Sequence, residues 1–249
     1  GLQNSAYQPL VAPIIVWTEH SPAIPAPQQD VVVRAMVIDD DPGPTVTLYY
    51  RQDADPTLAY SETPMLDDGF HGDGVAGDRV YGAIVPGLTD GERLDFTIRA
   101  DDGTNVGAGP PGHDTLVEGE YPVQTYLCPF VDPAQLPATD FPAYHLITTQ
   151  RTRNLQEAYE QDDELATAEY DATFIRRDGT GAHEVFYNVI EHYRGKHSLH
   201  QHPHSFHIKF AEDQALDSEM GFPITRLILN SQSIIKQHLG CRMFRESFG

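Results

Sequence analysis

Cysteine is scarce in this sequence, whose 249 residues include only Cys128 and Cys241. No Cys-x-x-Cys spacing occurs, so the usual zinc-ribbon and covalent haem signatures are excluded. Two isolated thiols either pair in an oxidising compartment or stay buried and reduced, and the cysteine pattern leaves both alternatives open.

Basic residues are few, and long apolar runs are absent from the sequence. Lys and Arg number 16 against 37 Asp and Glu, which gives a formal net charge of -21. Polyanions repel such a chain, so nucleic acid and anionic membrane surfaces are excluded as partners of the whole molecule. No run of about 18 apolar residues occurs, so we expect no membrane span. The acidic balance favours a secreted protein, extracellular or at the cell surface.

The first half of the sequence contains short β-prone runs separated by Gly, Pro and Asp turns. The runs cover residues 31–38, 45–51, 80–85 and 94–100. Because no helical stretch interrupts them, they predict an immunoglobulin-like or fibronectin-III-like β-sandwich. We place this domain at residues 30–127, after an extended lead-in at 1–29 and before a Pro-rich linker at 128–142.

One loop of the predicted sandwich has an unusual composition. Asp68, Asp73 and Asp78 alternate with glycines between residues 67 and 78. Calcium takes about six to eight oxygen ligands, so these carboxylates are candidate Ca²⁺ ligands. The alternative is turn chemistry, because Asp and Gly close tight turns through side-chain hydrogen bonds and positive φ. The loop resembles an Asp-Asp-Gly-x-His-Gly-Asp-Gly segment of sandwich modules in large secreted bacterial proteins, which implies export.

The second half alternates strand-like and helix-like segments. Strand candidates lie at 143–149, 169–175, 183–193, 204–210 and 225–230, and the last of these is apolar enough to predict an interior strand. A short polar helix is expected from Asn154, and a second helix is expected after Ser231. This order predicts an α+β domain on an antiparallel sheet over residues 143–249. The fold class of the whole chain is therefore expected to be mostly β.

Five short motifs follow one another in this second domain. They are Tyr144-His145-Leu146, Glu169-Tyr170-x-Ala172-Thr173-Phe174, Tyr193-Arg194-Gly195, Ser205-Phe206-x-Ile208-Lys209-Phe210 and Leu227-Ile228-Leu229-Asn230. In this order they resemble the start of the spore coat protein H (CotH) kinase family, a family of secreted atypical protein kinases. The resemblance covers residues 143–249 and implies the N-terminal lobe of a two-lobed, kinase-like fold.

The resemblance also implies a nucleotide site. Its candidate residues are Arg194, Gly195, Ser205 and Lys209, and strand alternation would place Ser205 and Lys209 on one face. Phosphoryl transfer further requires a Mg²⁺-binding acid and a carboxylate that receives the substrate proton. The family's second lobe would supply both, and the matched stretch stops before it. We therefore expect ATP and Mg²⁺ only where such a lobe is present, and a non-catalytic chain otherwise.

Histidines are concentrated close to these motifs. His200, His202 and His204 recur at every second residue, so an extended chain would place neighbouring imidazoles about 7 Å apart on one side. Neutral imidazoles bind Zn²⁺, Cu²⁺ or Ni²⁺, which makes the three residues candidate metal ligands. The alternative is a solvated turn. In either case the histidines would gain positive charge below about pH 6.5.

The sequence thus supports three functional hypotheses. The first is a secreted CotH-kinase-like chain that acts as a binding or assembly module, with a protein partner or a second copy covering the exposed cleft and the last helix. The second is a fragment of an active secreted atypical kinase that phosphorylates Ser or Thr of extracellular proteins. The third is a histidine-based metal-binding protein.

Overall fold

A computed structural model describes residues 11–40, 43–53, 58–110, 124–136, 142–158, 168–178, 180–194, 204–217 and 223–229. This part of the chain is mostly β, as expected. Its strands are β1 Ile14–Ser21, β2 Val31–Ile38, β3 Thr45–Gln52, β4 Ser61–Met65, β5 Val80–Val85, β6 Arg93–Asp101, β7 Val106–Gly109, β8 Tyr126–Pro129, β9 Ala143–Ile147, β10 Tyr170–Arg177, β11 His183–Arg194, β12 Ser205–Lys209, β13 Leu216–Asp217, β14 Pro223–Ile224 and β15 Arg226–Leu229. One α-helix, α1, spans Gln150–Ala158. Among the described residues, no helix has the length and apolarity needed to cross a membrane.

Two antiparallel sheets of the first half enclose one hydrophobic core. One sheet has the order β1-β2-β5, and the other has the order β4-β3-β6-β7 with β8 also paired to β6. Every second residue of β2 is buried, from Val31 to Val37. This alternation gives each sheet one apolar face, and the two faces pack together. Cys128 lies in this core as a free thiol, and Cys241 lies outside the described residues.

The two segments that flank the predicted sandwich take part in it. Residues 14–21 of the predicted lead-in form β1, which pairs with β2 along its length because β-branched residues favour an extended, paired backbone. The boundary predicted at residue 128 falls inside β8, whose four residues are all buried. Phe130 is also buried in the first core. A short strand that is buried on both faces shows no alternation, which is why its sequence resembles a linker.

The second half contains a five-stranded antiparallel sheet. Its order is β15-β12-β11-β10-β9, and α1 connects β9 to β10. The antiparallel sheet and the helix were both expected, although α1 begins earlier than Asn154. The backbone N–H of Thr152 donates to Thr149 Oγ1 at 3.0 Å, which caps the helix start.

Within the described residues β15 is an edge strand, and Ile228 is 46% exposed. The interior position predicted for this strand is therefore wrong. The helix predicted after Ser231 lies outside the described residues.

A β-bulge joins the two halves. Ala172 pairs with Val189 and Phe174 pairs with Phe186, so Tyr187 and Asn188 together oppose Thr173. Asn188 takes a left-handed φ of 52°, as bulged residues can. The bulge turns the Tyr187 side chain into the first core. The two sheet systems consequently share buried contacts.

Candidate functional site

One face of the five-stranded sheet of the second half carries several positive and titratable side chains. Directly paired residues of an antiparallel sheet point to the same face. Arg194 pairs with Ser205, His192 pairs with His207, and Lys209 pairs with Arg226 across β12 and β15. We call this surface the basic face, and the polar residues that β11, β12 and β15 contribute to it are His192, Arg194, Ser205, His207, Lys209 and Arg226.

Three of the four predicted nucleotide-binding residues lie on the basic face. They are Arg194, Ser205 and Lys209, and Gly195 lies outside the described residues. The alternation predicted for β12 is present, because Phe206 and Ile208 lie on the opposite face and pack into the hydrophobic core of the second half. Sequence reasoning missed Arg226 as a member of the site. Its only signal was alternation with Leu227, which cannot identify β12 as the neighbouring strand.

Lys209 is held by a carboxylate at the start of β10. Its ammonium forms an ion pair with Glu169. The hydrogen bond from Lys209 lowers the pKa of Glu169, with smaller contributions from the two histidines of the basic face. Both partners are partly exposed, so the pair is screened by water and adds little to stability. Its effect is to hold the Lys209 ammonium at the end of the face near β10.

The two histidines of the basic face form a directed hydrogen-bond chain. His192 Nδ1 lies 2.9 Å from the carbonyl oxygen of Tyr193, and because a carbonyl only accepts, this nitrogen donates. In neutral His192, Nε2 must then accept, so His207 Nδ1 donates to it across 2.9 Å. The rings are nearly perpendicular, at 85°. Partial burial lowers the pKa of His207, and the positive charges of the basic face lower it further.

The opposite face of the sheet packs against α1 and contains a buried acid. Glu191 is 0% exposed, and Gln156 Nε2 donates to its Oε1 at 2.5 Å. Burial raises the pKa of Glu191 to about 7, because a low-dielectric surrounding disfavours the carboxylate. Beside this contact, Tyr193, Phe206 and α1 line a cavity of about 320 Å³.

His204, the described member of the candidate histidine row, lies on the face opposite the basic face. His204 stacks on Tyr193 with ring centroids 4.0 Å apart and lines the cavity on the α1 side. His200 and His202 lie outside the described residues. The prediction that the three histidines form one chelating row therefore stays a prediction.

The Asp-rich loop uses its carboxylates to bind its own backbone. Asp73, 2% exposed, accepts hydrogen bonds from the N–H groups of Gly69 at 2.6 Å and His71 at 3.0 Å. Asp68 and Asp78 each accept from the N–H two residues ahead, at 2.9 Å. Among the described residues, no group of three or more His, Cys, Asp or Glu side chains is arranged to hold a metal ion. The structure thus does not bring the candidate calcium ligands together, and their contacts are those of turn chemistry.

The basic face is the strongest candidate for a functional site. It concentrates three cationic side chains and two imidazoles in a chain whose formal net charge is -21. Arg and Lys side chains together with a hydroxyl form charge-assisted hydrogen bonds to oxyanions. Comparison of the chain with protein-family models, with curated proteins and with solved structures finds no match.

Proposed function

We propose that this chain is an exported, CotH-kinase-like binding module whose basic face binds a phosphate-bearing ligand. The single observation that carries this proposal is the shared face of Arg194, Ser205 and Lys209, with Arg226 beside them. Three of these are residues for which the motif resemblance implies contact with phosphates. Arg194 and Arg226 are both exposed residues of this face.

We also propose which known folds the two halves of the chain resemble. The two sheets of the first half form an immunoglobulin-like or fibronectin-III-like module, and the five-stranded sheet of the second half with α1 forms a kinase-like N-terminal lobe. Support for the first assignment is the pair of antiparallel sheets around one core. Support for the second is the five-stranded antiparallel sheet that carries one helix on the face opposite the basic face.

The spacing of the cationic groups suits a ligand with more than one phosphate group. Ser205 and Lys209 are four residues apart on β12, a separation of about 13 Å along a strand. Arg194 lies beside Ser205, and Arg226 lies beside Lys209. The two ends together offer contacts to more than one phosphate group, so a di- or triphosphate or a multiply phosphorylated chain can contact more of the face than a single phosphate can. Guanidinium groups bind phosphate through two parallel N–H donors, so Arg194 and Arg226 would contribute most of the geometric selectivity.

Calorimetric titration with inorganic pyrophosphate at low ionic strength tests the binding site. We expect binding to the wild-type protein, at least about tenfold weaker binding in Arg194→Ala and in Lys209→Ala, and a loss of affinity with added salt. Arg99→Ala is the matched control, because Arg99 is an exposed arginine on β6 in the first half. Absence of pyrophosphate binding to the wild type, or equal weakening in the Arg99 variant, would contradict the proposal.

The nucleotide-binding lobe of a secreted atypical kinase is the second candidate function, and the five-stranded antiparallel sheet packed against α1 favours it. A nucleotide site gains affinity from the base and ribose, so Mg-ATP should then bind more tightly than pyrophosphate. A site that recognises phosphate alone should bind the two within a few-fold of each other. The same titration with Mg-ATP therefore separates the two candidates.

A further inference from the structure

We propose that anions bind the basic face together with one proton, which His207 takes up at Nε2. This inference rests on the proposed anion-binding function and adds its regulation: acidification tightens binding. The proton converts a neutral ring nitrogen in the middle of the site into a hydrogen-bond donor.

The directed hydrogen bonds determine where the proton is taken up. In the neutral pair, His192 Nδ1–H donates to the Tyr193 carbonyl, and one further hydrogen lies between the two rings. The remaining ring nitrogen is Nε2 of His207. A proton added to the pair produces an N–H there, whichever ring formally carries the charge, because the shared hydrogen can move between the two nitrogens. A second proton would place an N–H on each of the two nitrogens that lie 2.9 Å apart and would break their hydrogen bond, so the pair takes up one proton.

His207 is located between the two cationic ends of the basic face. Ser205 and Lys209 are each two residues away on β12, about 7 Å along the strand. Across the sheet, His207 pairs with His192 on one side and with Ile228 on the other. An anion bound between these two ends therefore lies over the His207 ring.

The charged neighbours set the direction of the pH effect. Burial lowers the pKa of His207 below 6.5, and His192 together with the positive charges of Lys209, Arg226 and Arg194 on β12, β15 and β11 lowers it further. Glu169 contributes negative charge from the start of β10, and Asp171 of β10 lies across from Ile190 with a pKa raised to about 7 by burial. The empty site therefore holds a neutral His207 at neutral pH. A bound anion favours the protonated ring, so affinity rises as pH falls, by at most about tenfold per pH unit for one proton.

Sulfate is the appropriate probe, because it keeps both negative charges between pH 5 and pH 8 while phosphate titrates in this range. Titration calorimetry in two buffers of different ionisation enthalpy measures the protons taken up per sulfate bound. We expect a value approaching one near pH 6 in the wild type and near zero in His207→Gln. His71→Gln, at a half-buried histidine of the Asp-rich loop, should behave as the wild type does.

Asp171→Asn is the second control, because Asp171 also titrates near this pH. It should retain proton uptake if His207 is responsible, and its loss in this variant would overturn the inference. Sulfate binding with no proton uptake and a pH-independent affinity would also overturn it and would leave the anion site in place. Absence of sulfate and pyrophosphate binding at every pH would instead refute the proposed function itself.

Imidazole ¹⁵N spectra give a test that needs no variant. In the free protein at neutral pH we expect N–H at Nδ1 of both His192 and His207, and a bare Nε2 on His207. Sulfate addition near pH 6 should protonate this Nε2. An Nε2–H tautomer of His207 in the neutral free protein would overturn the assigned chain.

Discussion

Tyr187 provides the most direct test of how the two halves are joined. Its hydroxyl donates to Nδ1 of buried His20, whose Nε2 donates to the Ala23 carbonyl at 3.0 Å. Burial lowers the pKa of His20 to about 4, so the ring is neutral and Nδ1 is an acceptor. Tyr187→Phe removes the donor and leaves this nitrogen buried without a partner, which costs about 1–3 kcal/mol.

A larger truncation at the same position also removes packing. The Tyr187 ring contacts Tyr126 at a centroid distance of 4.7 Å and Phe96 at 6.2 Å. Tyr187→Ala deletes this ring from the first core, and comparable aromatic deletions cost about 3–5 kcal/mol. For a chain of this length each kcal/mol lowers Tm by about 2–4 °C.

Urea unfolding followed by two probes measures the effect. The fluorescence of Trp17, the single tryptophan, reports β1, and far-ultraviolet circular dichroism reports both sheet systems. Because Tyr187 belongs to both halves, we expect both transitions to move together to lower urea. Tyr144→Phe is the matched control, since Tyr144 is 41% exposed, and it should change stability by less than about 0.5 kcal/mol. Equal effects of the two Tyr→Phe changes, or a shift of only one transition, would refute the shared-core argument.

Three further outcomes are expected. Asp53→Ala should destabilise the protein by about 1–3 kcal/mol in urea unfolding. Asp53 accepts a hydrogen bond from the Gln150 N–H of α1 at 2.8 Å and forms an ion pair with the partly buried Arg93. An unchanged unfolding midpoint would show that α1 needs no cap from the first half. Glu191 has a raised pKa, so its contribution to stability is complete below pH 4.5 and is lost as pH rises through about 7. Glu191→Gln should flatten the pH dependence of stability in this window, and an unchanged profile would contradict the burial argument. Burial raises the pKa of Cys128 well above its usual value, so its thiol should react with Ellman's reagent only after unfolding, and rapid labelling of native Cys128 would contradict its buried position.

Sequence reasoning succeeded where local alternation carries the information. The strand at residues 204–210 shows period two, and its division into polar and apolar faces was predictable without tertiary information. It failed for β8, because a fully buried strand of four residues next to prolines has no period. It also misjudged β15, whose residues are exposed or half-buried, since an apolar run does not show how much of the strand the rest of the fold covers. α1 starts at a Thr149 cap, and several polar residues in this segment could equally have capped a helix.

The amino-acid sequence by itself determined the mostly β character and the common face of Ser205 and Lys209, because both follow from periods of two within single strands, and the order of elements predicted the antiparallel sheet of the second half. Only the tertiary structure decided which strands are neighbours. Strand register pairs His192 with His207 and brings Arg226 beside Lys209, and a bulge at Asn188 directs Tyr187 into the first core. These contacts join residues from 15 to 167 positions apart, and such long-range pairings depend on the packing of the whole chain, which no local pattern encodes.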